Sequence, residues 1–416
     1  MPNLPDKNNC CGCSACIDSC AKKAITLELD RNGFYYPVIN HNLCVECKAC
    51  EWNCHILHQD EIRRNDRNQE TLFSCWTTDK DLLRRSASGG AFAQLASDFL
   101  EIGDSLVVGA ELGKDGLVRL VVIDKKEDLW KLQQSKYEQC RSEDIYKSVK
   151  KKLSQGKRVL FSGLPCQIAA LYHFLHYKNL ERLFTIEILC HGVPSRYLTD
   201  LSLRLKRARS IHSYRTKSKG WYDGNRTVYA MSDGKIIEEI STQEDFRFKS
   251  YLTYSCLRKS CYGCRYATMD RVADLTLGDF WYGGEDKSDY QNYDGTSLVI
   301  VNSSKGVFLW QRSEKLIKIP VSFEMATRNN QAIYMPTSTY PLILSDDIYK
   351  IKKMPVVFQA ALFQNGFTNS PIRSLLFKMF FFPLRRVKAK EKAKLTAIVR
   401  RKELDKLKNR GKINED

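Results

Sequence analysis

Nine of the first 54 residues are cysteine, and eight of them form two copies of one spacing. Cys10, Cys13, Cys16 and Cys20 read C-x2-C-x2-C-x3-C, and Cys44, Cys47, Cys50 and Cys54 repeat it. That spacing wraps backbone around a 4Fe-4S cube, giving three sulfurs to one cluster and the fourth to its neighbour. Cys10, Cys13 and Cys16 with Cys54 are therefore expected to hold one cluster, and Cys44, Cys47 and Cys50 with Cys20 the other. Structural zinc prefers two separated cysteine pairs. Disulfide frameworks belong to oxidising compartments, and the start MPNLPDKNNCC has no apolar signal core. Cys11 is left over, because Cys11-x-Cys13 is too tight to replace Cys10. Bacterial ferredoxins follow the fourth cysteine with proline, whereas Ala21 and His55 stand there in this chain. The chain is an electron carrier by this reading.

At 416 residues, two or three domains are expected. The longest apolar run, 375–384, is broken by Lys378 and Pro383 and is half of the roughly 20 residues a membrane span needs. Sixteen cysteines without a signal peptide point to a reducing cytoplasm. Of the net charge of +18, residues 373–416 carry +10. Each cluster with its four thiolates would add about −2, nearly cancelling the excess elsewhere. Nucleic-acid binding by the body is therefore not expected. In the tail, LLFKMFFFPL precedes RRVKAKEKAK; an aromatic segment beside a cationic one suits peripheral contact with an anionic membrane, or else a docked turn and a solvated helix.

The chain divides into a two-cluster ferredoxin domain at 1–65, α/β regions at 66–150 and 151–345, and a basic helical tail at 346–416. Within the first, AITLELD and GFYYPVI read as strands joined at Asn32-Gly33, and a polar stretch from His58 to Glu70 reads as a linker. Further on, SASGGAFAQLASDF is a small-residue loop opening into a helix, and 105–111 and 118–124 are strands. KRVLFSGLPCQIAALYHFL and LFTIEILCHGVPSRYLTDLSLRL each read as strand, tight loop and helix. Such alternation argues for an open, largely parallel sheet, with ligands beyond the carboxyl ends of its strands. Gly163 to Cys166 and Cys190 to Pro194 lie at those ends. Hairpins are expected from Tyr214 to Ile240.

Cys256-x4-Cys261-x2-Cys264 is a second constellation. A third 4Fe-4S cluster there needs a fourth thiolate, for which Cys190 is preferred over Cys166; a zinc site and three buried thiols remain open. Cys75 and Cys140 read as small buried hydrophobes. Clusters carry single electrons, and a flavin is the usual converter to hydride chemistry. Ser88, Gly89 and Gly90 offer a phosphate cradle before a helix. Lys136 and Tyr137 would neutralise a phosphate and stack on the ring, with ordinary surface as the alternative. His191 is the expected proton relay, against a purely structural role, and Asp279 in GDFW would face the flavin or substrate, against a turn or helix cap.

With these residues in view, the chain resembles the coenzyme F420 hydrogenase/dehydrogenase beta-subunit family. The resemblance is carried by SASGGAF, SKYEQC, SGLPCQ, CHGVPS, YRTKSKGW, CLRKSCYGCRYATMDRVADLTLGDFW and DGTSLVIVNSSKG. It implies FAD and supports a cluster at the Cys256 to Cys264 motif. Members pass electrons between iron–sulfur clusters and a hydride acceptor, which in some is the deazaflavin F420 and in plant relatives 7-hydroxymethyl chlorophyll a. Similar proteins with a ferredoxin head occur in bacteria making surface polysaccharides. Cys140 departs from the small hydroxyl residue expected there.

The expectation is a cytoplasmic FAD-dependent iron–sulfur oxidoreductase of mixed α+β and α/β architecture. It would pass electrons between a ferredoxin-like donor and a small-molecule hydride acceptor. The alternative is an electron-transfer subunit feeding a separate catalytic partner, linked to surface polysaccharide synthesis.

Overall fold

The computed structural model describes residues 1–63, 65, 71–221, 225–242, 244–282, 287–334, 336, 348–354 and 359. At the amino end, helix α1 (Ala15–Asp18), strands β1 (Ile25–Leu29) and β2 (Tyr35–Ile39) and helix α2 (Ala49–Trp52) form a small head. β1 and β2 pair antiparallel, with Leu29 opposite Tyr35, around the Asn32-Gly33 turn. Gly33 takes φ +83°, and a Cβ there would collide with the Ser195 hydroxyl of the body. A glycine is needed because the turn is pressed against another part of the chain.

The body is built on an eight-stranded sheet. In chain order its strands are β3 (Thr71–Thr77), β4 (Ser105–Leu112), β5 (Val118–Ile123), β6 (Arg158–Gly163), β7 (Leu183–Ile188), β11 (Leu275–Asp279), β12 (Ser297–Val301) and β13 (Leu316–Pro320). They lie in the order β13-β3-β12-β11-β7-β6-β4-β5. β4, β6, β7 and β11 run parallel, whereas β5, β12, β3 and β13 are antiparallel to their neighbours. The sheet is therefore mixed rather than largely parallel. The strand–helix units build only its centre, and strands from both ends of the body extend it as hairpin-like edges.

Helices cover both faces. α5 (Ile145–Ser154) and α6 (Pro165–Phe174) pack over Leu106, Val108, Val159 and Phe161. α4 (Ala91–Leu100) and α10 (Ser304–Arg312) pack over Val107, Leu160 and Ile186 on the other side. Successive strand residues point to opposite faces, so these strands are largely apolar; β6 is buried from Val159 to Gly163. A second sheet, β8 (Ser210–Thr216), β9 (Arg226–Ala230) and β10 (Ile236–Ser241), is antiparallel and lies where hairpins are expected. α7 (Arg196–Lys206) and α8 (Phe246–Leu252) precede and follow it. Two short helices, α3 (Lys80–Arg85) and α9 (Lys287–Tyr290), follow β3 and β11.

The head is bolted to the body by polar contacts with backbone. Asp18, buried in α1, accepts from the amides of Asp144, Tyr146 and Lys147 at 2.6, 2.9 and 3.3 Å. It thereby caps α5, whose own cap residue makes no side-chain bond. The Tyr146 hydroxyl donates to the Cys13 carbonyl at 2.8 Å, and the Ser195 hydroxyl to that of Asn32 at 2.6 Å. No helix among the described residues is long and apolar enough to cross a membrane. The aromatic and basic tail segments lie outside the described residues.

Candidate redox site

In the head, α1 and α2 bring the quartets against each other. Cys16 has Cys10, Cys50 and Cys54 as electrostatic neighbours, and Cys13 has Cys54. Cys10, Cys13, Cys16 and Cys54, the crossed set expected from the spacing, thus lie within electrostatic reach of one another, with Cys11 and Cys50 beside them. Burial pushes the Cys10 thiol up to about 11 and Cys54 up to about 12. Of the outer set, Cys50 neighbours Cys20, Cys44 is half-buried, and Cys47 is exposed. One quartet is thus interior and the other reaches the surface.

Behind the inner quartet lies a cavity of about 180 Å³ in the body, against the roughly 10–15 Å³ that one water needs. Cys166, Cys190, Cys261 and Cys264 all line it. Cys166 neighbours Cys190 and Cys264, and Cys261 neighbours the same two. Burial pushes Cys190 up to about 12. Cys166 is there because Pro165 starts α6 directly at the end of β6, and Cys190 follows β7.

Cys256 is not part of this group. Its side chain is fully buried in a separate cluster with Tyr197, Leu198, Leu201 and Phe246, and its carbonyl accepts from the Ser195 amide. The tight run of cysteines suggested a ligand trio beginning at Cys256, but its backbone turns at φ +56°, and the side chain joins the α7–α8 core. Cys166, the less preferred candidate for the fourth thiolate, lines the cavity beside Cys190, Cys261 and Cys264 instead.

Cys11 lines the cavity and also borders the space among Cys10, Cys13, Cys16 and Cys54, so it stands between the two thiol groups. Hydrogen bonds from Cys13 and Cys166 hold its thiol well below the usual range. Its sulfur is 3.4 Å from His55 Nε2, and His55 Nδ1 is 2.6 Å from the Tyr266 hydroxyl. The histidine that replaces the ferredoxin proline is thus a fully buried link between head and cavity wall.

Two buried guanidinium groups flank the cavity. Arg271 lines it and pairs with Glu187. Arg258 is 0% exposed. It donates to the carbonyls of Cys10 and Tyr35 at 3.2 and 2.7 Å and to Gln139 Oε1 at 2.7 Å. It lies 4.3 Å from the Tyr36 ring centre and 5.4 Å from that of Phe34. Among the described residues no carboxylate pairs with it. A buried cation without countercharge is costly, so the site calls for anionic charge, which thiolate-bound iron–sulfur clusters carry. The donor set and the charge both fit such clusters.

The remaining candidates meet at the strand ends. Arg215 Nη1 donates to Asp279 at 2.6 Å and bonds Tyr137. Its guanidinium lies 5.4 Å from the Trp281 ring centre, and its buried Nη2 has no partner among the described residues. Lys217 Nζ donates to the carbonyls of Ser88 and Asp294 at 2.9 and 2.5 Å, and burial lowers it to about 8. His191, whose pKa burial lowers, senses Asp279 and lines the cavity. Ser88, Tyr137, Arg215, Lys217 and Asp279 thus cluster together, and Asp279 neighbours His191 of the cavity wall. The orphaned Arg215 donor is the feature that fits the polar edge of a flavin or its phosphate.

Two expected contacts differ. Lys136 Nζ turns onto the carbonyls of Lys131 and Gln133 at 3.1 and 2.6 Å, and burial lowers it to about 7. It tethers its own turn rather than facing an anion. A Cβ on Gly89 would strike the Cys75 carbonyl and the Ser297 amide. Its smallness therefore serves packing on β3 and β12, leaving Gly90 to open α4. Gly163 lets the Gln167 side chain curl back to the Leu164 amide. Arg215 and Lys217, in the YRTKSKGW stretch, and Arg258, in CLRKSC, were not singled out from the sequence; a basic residue in a hairpin reads as surface.

Comparison with known proteins bears on the second half of this site. Residues 156–322 match the profile for the carboxy-terminal part of the coenzyme F420 hydrogenase/dehydrogenase beta subunit. This segment is similar to the F420 hydrogenase beta-subunit family. It spans β6 to β13 and includes Gly163, Cys166, Cys190, His191, Cys261, Cys264 and Asp279. The head, the Ser88 loop and Lys136 lie before it. A chain of the F420-reducing [NiFe] hydrogenase complex from Methanosarcina barkeri, from a xenon-derivatised structure, is also similar. It shares 17% identity over 65% of this chain and 90% of that one, with a TM-score of 0.44. None of the curated proteins matches. In the family segment, the cavity cysteines sit at the ends of β6 and β7 and in the turn after α8. The family portion thus supplies the thiols that face the head.

Proposed function

We propose that the chain is an iron–sulfur flavoprotein oxidoreductase that passes electrons between a protein donor and a hydride acceptor. Cys10, Cys13, Cys16 and Cys54 would hold an inner 4Fe-4S cluster, Cys20, Cys44, Cys47 and Cys50 an outer one, and Cys166, Cys190, Cys261 and Cys264 a third. FAD would lie in the crevice of Ser88, Tyr137, Arg215 and Asp279. When bound, the clusters supply single-electron transfer and the flavin supplies its conversion to hydride.

The observation that carries this reading is the juxtaposition of the inner quartet with the four-cysteine cavity, with Cys11 bordering both. The protein's own groups have defined tasks. The buried thiols give up their protons as iron binds. Arg215 offers its spare donor to the cofactor edge. Tyr137, wedged against Phe248 and Tyr251 at ring separations of 5.1 and 4.8 Å, walls the crevice. His191, kept neutral by burial, is placed to take a proton beside Asp279.

Anaerobic purification tests the proposal: about twelve irons and one flavin per chain are expected. Cys166→Ala should lose about four irons, whereas Cys256→Ala should keep all of them. Full iron in C166A with loss in C256A would reverse the ligand assignment, and iron without flavin would refute the hydride step.

A further inference from the structure

We infer that Arg258 is a shared counter-ion that sets the reduction potentials of the inner head cluster and the third cluster, leaving the outer cluster untouched. The inference rests on the cluster reading above and deepens it.

Arg258 reaches the head through the Cys10 carbonyl and the body through Gln139. Its charge acts on the thiols of both Cys10 and Cys261. It therefore lies between the two sites, and its contacts among the described residues are uncharged: two carbonyls, one amide oxygen and two ring faces. Arg271, the other buried guanidinium beside the cavity, is neutralised by Glu187. Of the two, only Arg258 carries net positive charge inward.

The surroundings are shaped to admit it. Gly12 lies at φ +74°, and a Cβ there would fall 2.8 Å from Arg258 Nη2 and 2.7 Å from Gln139 Nε2. The glycine inside the first quartet is required by the arginine. Adding an electron to a cluster deepens its negative charge, and a cation in a water-poor site favours that step. Removing the cation makes reduction harder at both neighbouring sites.

The test is an EPR-monitored redox titration of the full iron-loaded chain, comparing wild type with Arg258→Met and Arg258→Lys. The outer cluster's signal is identified by its loss in Cys47→Ser. R258M should make the inner and third clusters at least tenfold harder to reduce, about 59 mV for one electron, with the outer potential unchanged and R258K near wild type. Unmoved potentials in fully loaded R258M, or an equal shift of all three, overturn the inference. If R258M cannot hold iron, R258K decides. Iron retained with wild-type inner potentials supports the counter-ion, and iron lost again assigns Arg258 to packing alone. A wild-type chain without iron would overturn the cluster reading itself, and iron analysis separates that result from the others.

Discussion

Replacing Asp18 by alanine should loosen the head from the body without touching a proposed ligand. Three amides at the start of α5 converge on its carboxylate, at 2.6, 2.9 and 3.3 Å. Losing a helix cap costs about 1 kcal/mol, and each buried donor left unpaired adds roughly 1–3 kcal/mol. The longest of the three bonds, to Lys147, contributes least. Burial works against the carboxylate and raises its pKa despite these donors, which trims the total to about 3 kcal/mol. Asn in place of Asp keeps one acceptor and should cost about 1 kcal/mol. Native-state hydrogen exchange at the first amides of α5 reads the effect, since 3 kcal/mol is a little over a hundredfold in opening. The pH trend has a definite sign. With the folded pKa raised above the unfolded one, the folded state holds more protons through that window, and acidification favours folding. The D18A deficit should therefore not shrink as pH falls. Protection within twofold of wild type in an iron-replete D18A chain would refute the capping argument.

Two further outcomes can be checked. Lys136 is lowered to about 7 by burial, against about 10.4 in an unfolded chain. Between those values the unfolded state binds more protons, so the stability of wild type relative to Lys136→Met should rise with pH from about 7 to about 10 in denaturant titrations. A flat difference would show that the amine stays charged on its two carbonyls. Gly12→Ala should cost roughly 2 kcal/mol through its positive φ and its collision with Arg258 and Gln139. Iron per chain and protease resistance should fall together, and normal values for both would show that the guanidinium has room to move.

The parts of this molecule that local patterns encode were legible in its sequence. The quartets, the Asn32-Gly33 hairpin and the two strand–helix units depend on spacing and periodicity within about 20 residues. What spacing could not give were choices settled across the fold. Cys256 and Cys261 are close in the chain, yet α7 and α8 claim the first for their core while the second turns to the cavity. Cys166 and Cys190 were both weighed as the fourth thiolate, because position at a strand end could not tell that both would reach the cavity. Asp18 sits in an unremarkable CIDSC, and its partners are 126 to 129 residues away. Arg258 left one trace, the glycine at position 12. His55 left another, as the residue standing where ferredoxins carry proline. The antiparallel strands β3, β12 and β13 were missed for the same reason, since β3 pairs with β12 and β13 from the far end of the body.

Burial changes in a fixed order along the site. Cys47 is open to solvent, three of the four inner-quartet thiols are buried, and the cavity thiols behind them are half-buried. A carrier of single electrons gains from an exposed end, because transfer between proteins needs close approach and little else. Chemistry on a small acceptor needs the reverse, a water-poor pocket with fixed donors. Joining the two demands an intervening stretch that neither solvent nor acceptor can short-circuit. Cys11, His55 and Arg258 fill that stretch with packed side chains at the joint between head and body. Under the proposed reading the joint would be part of the conductor as well as a fastening, since two of its polar contacts run to the backbone of cluster cysteines, at Cys10 and Cys13.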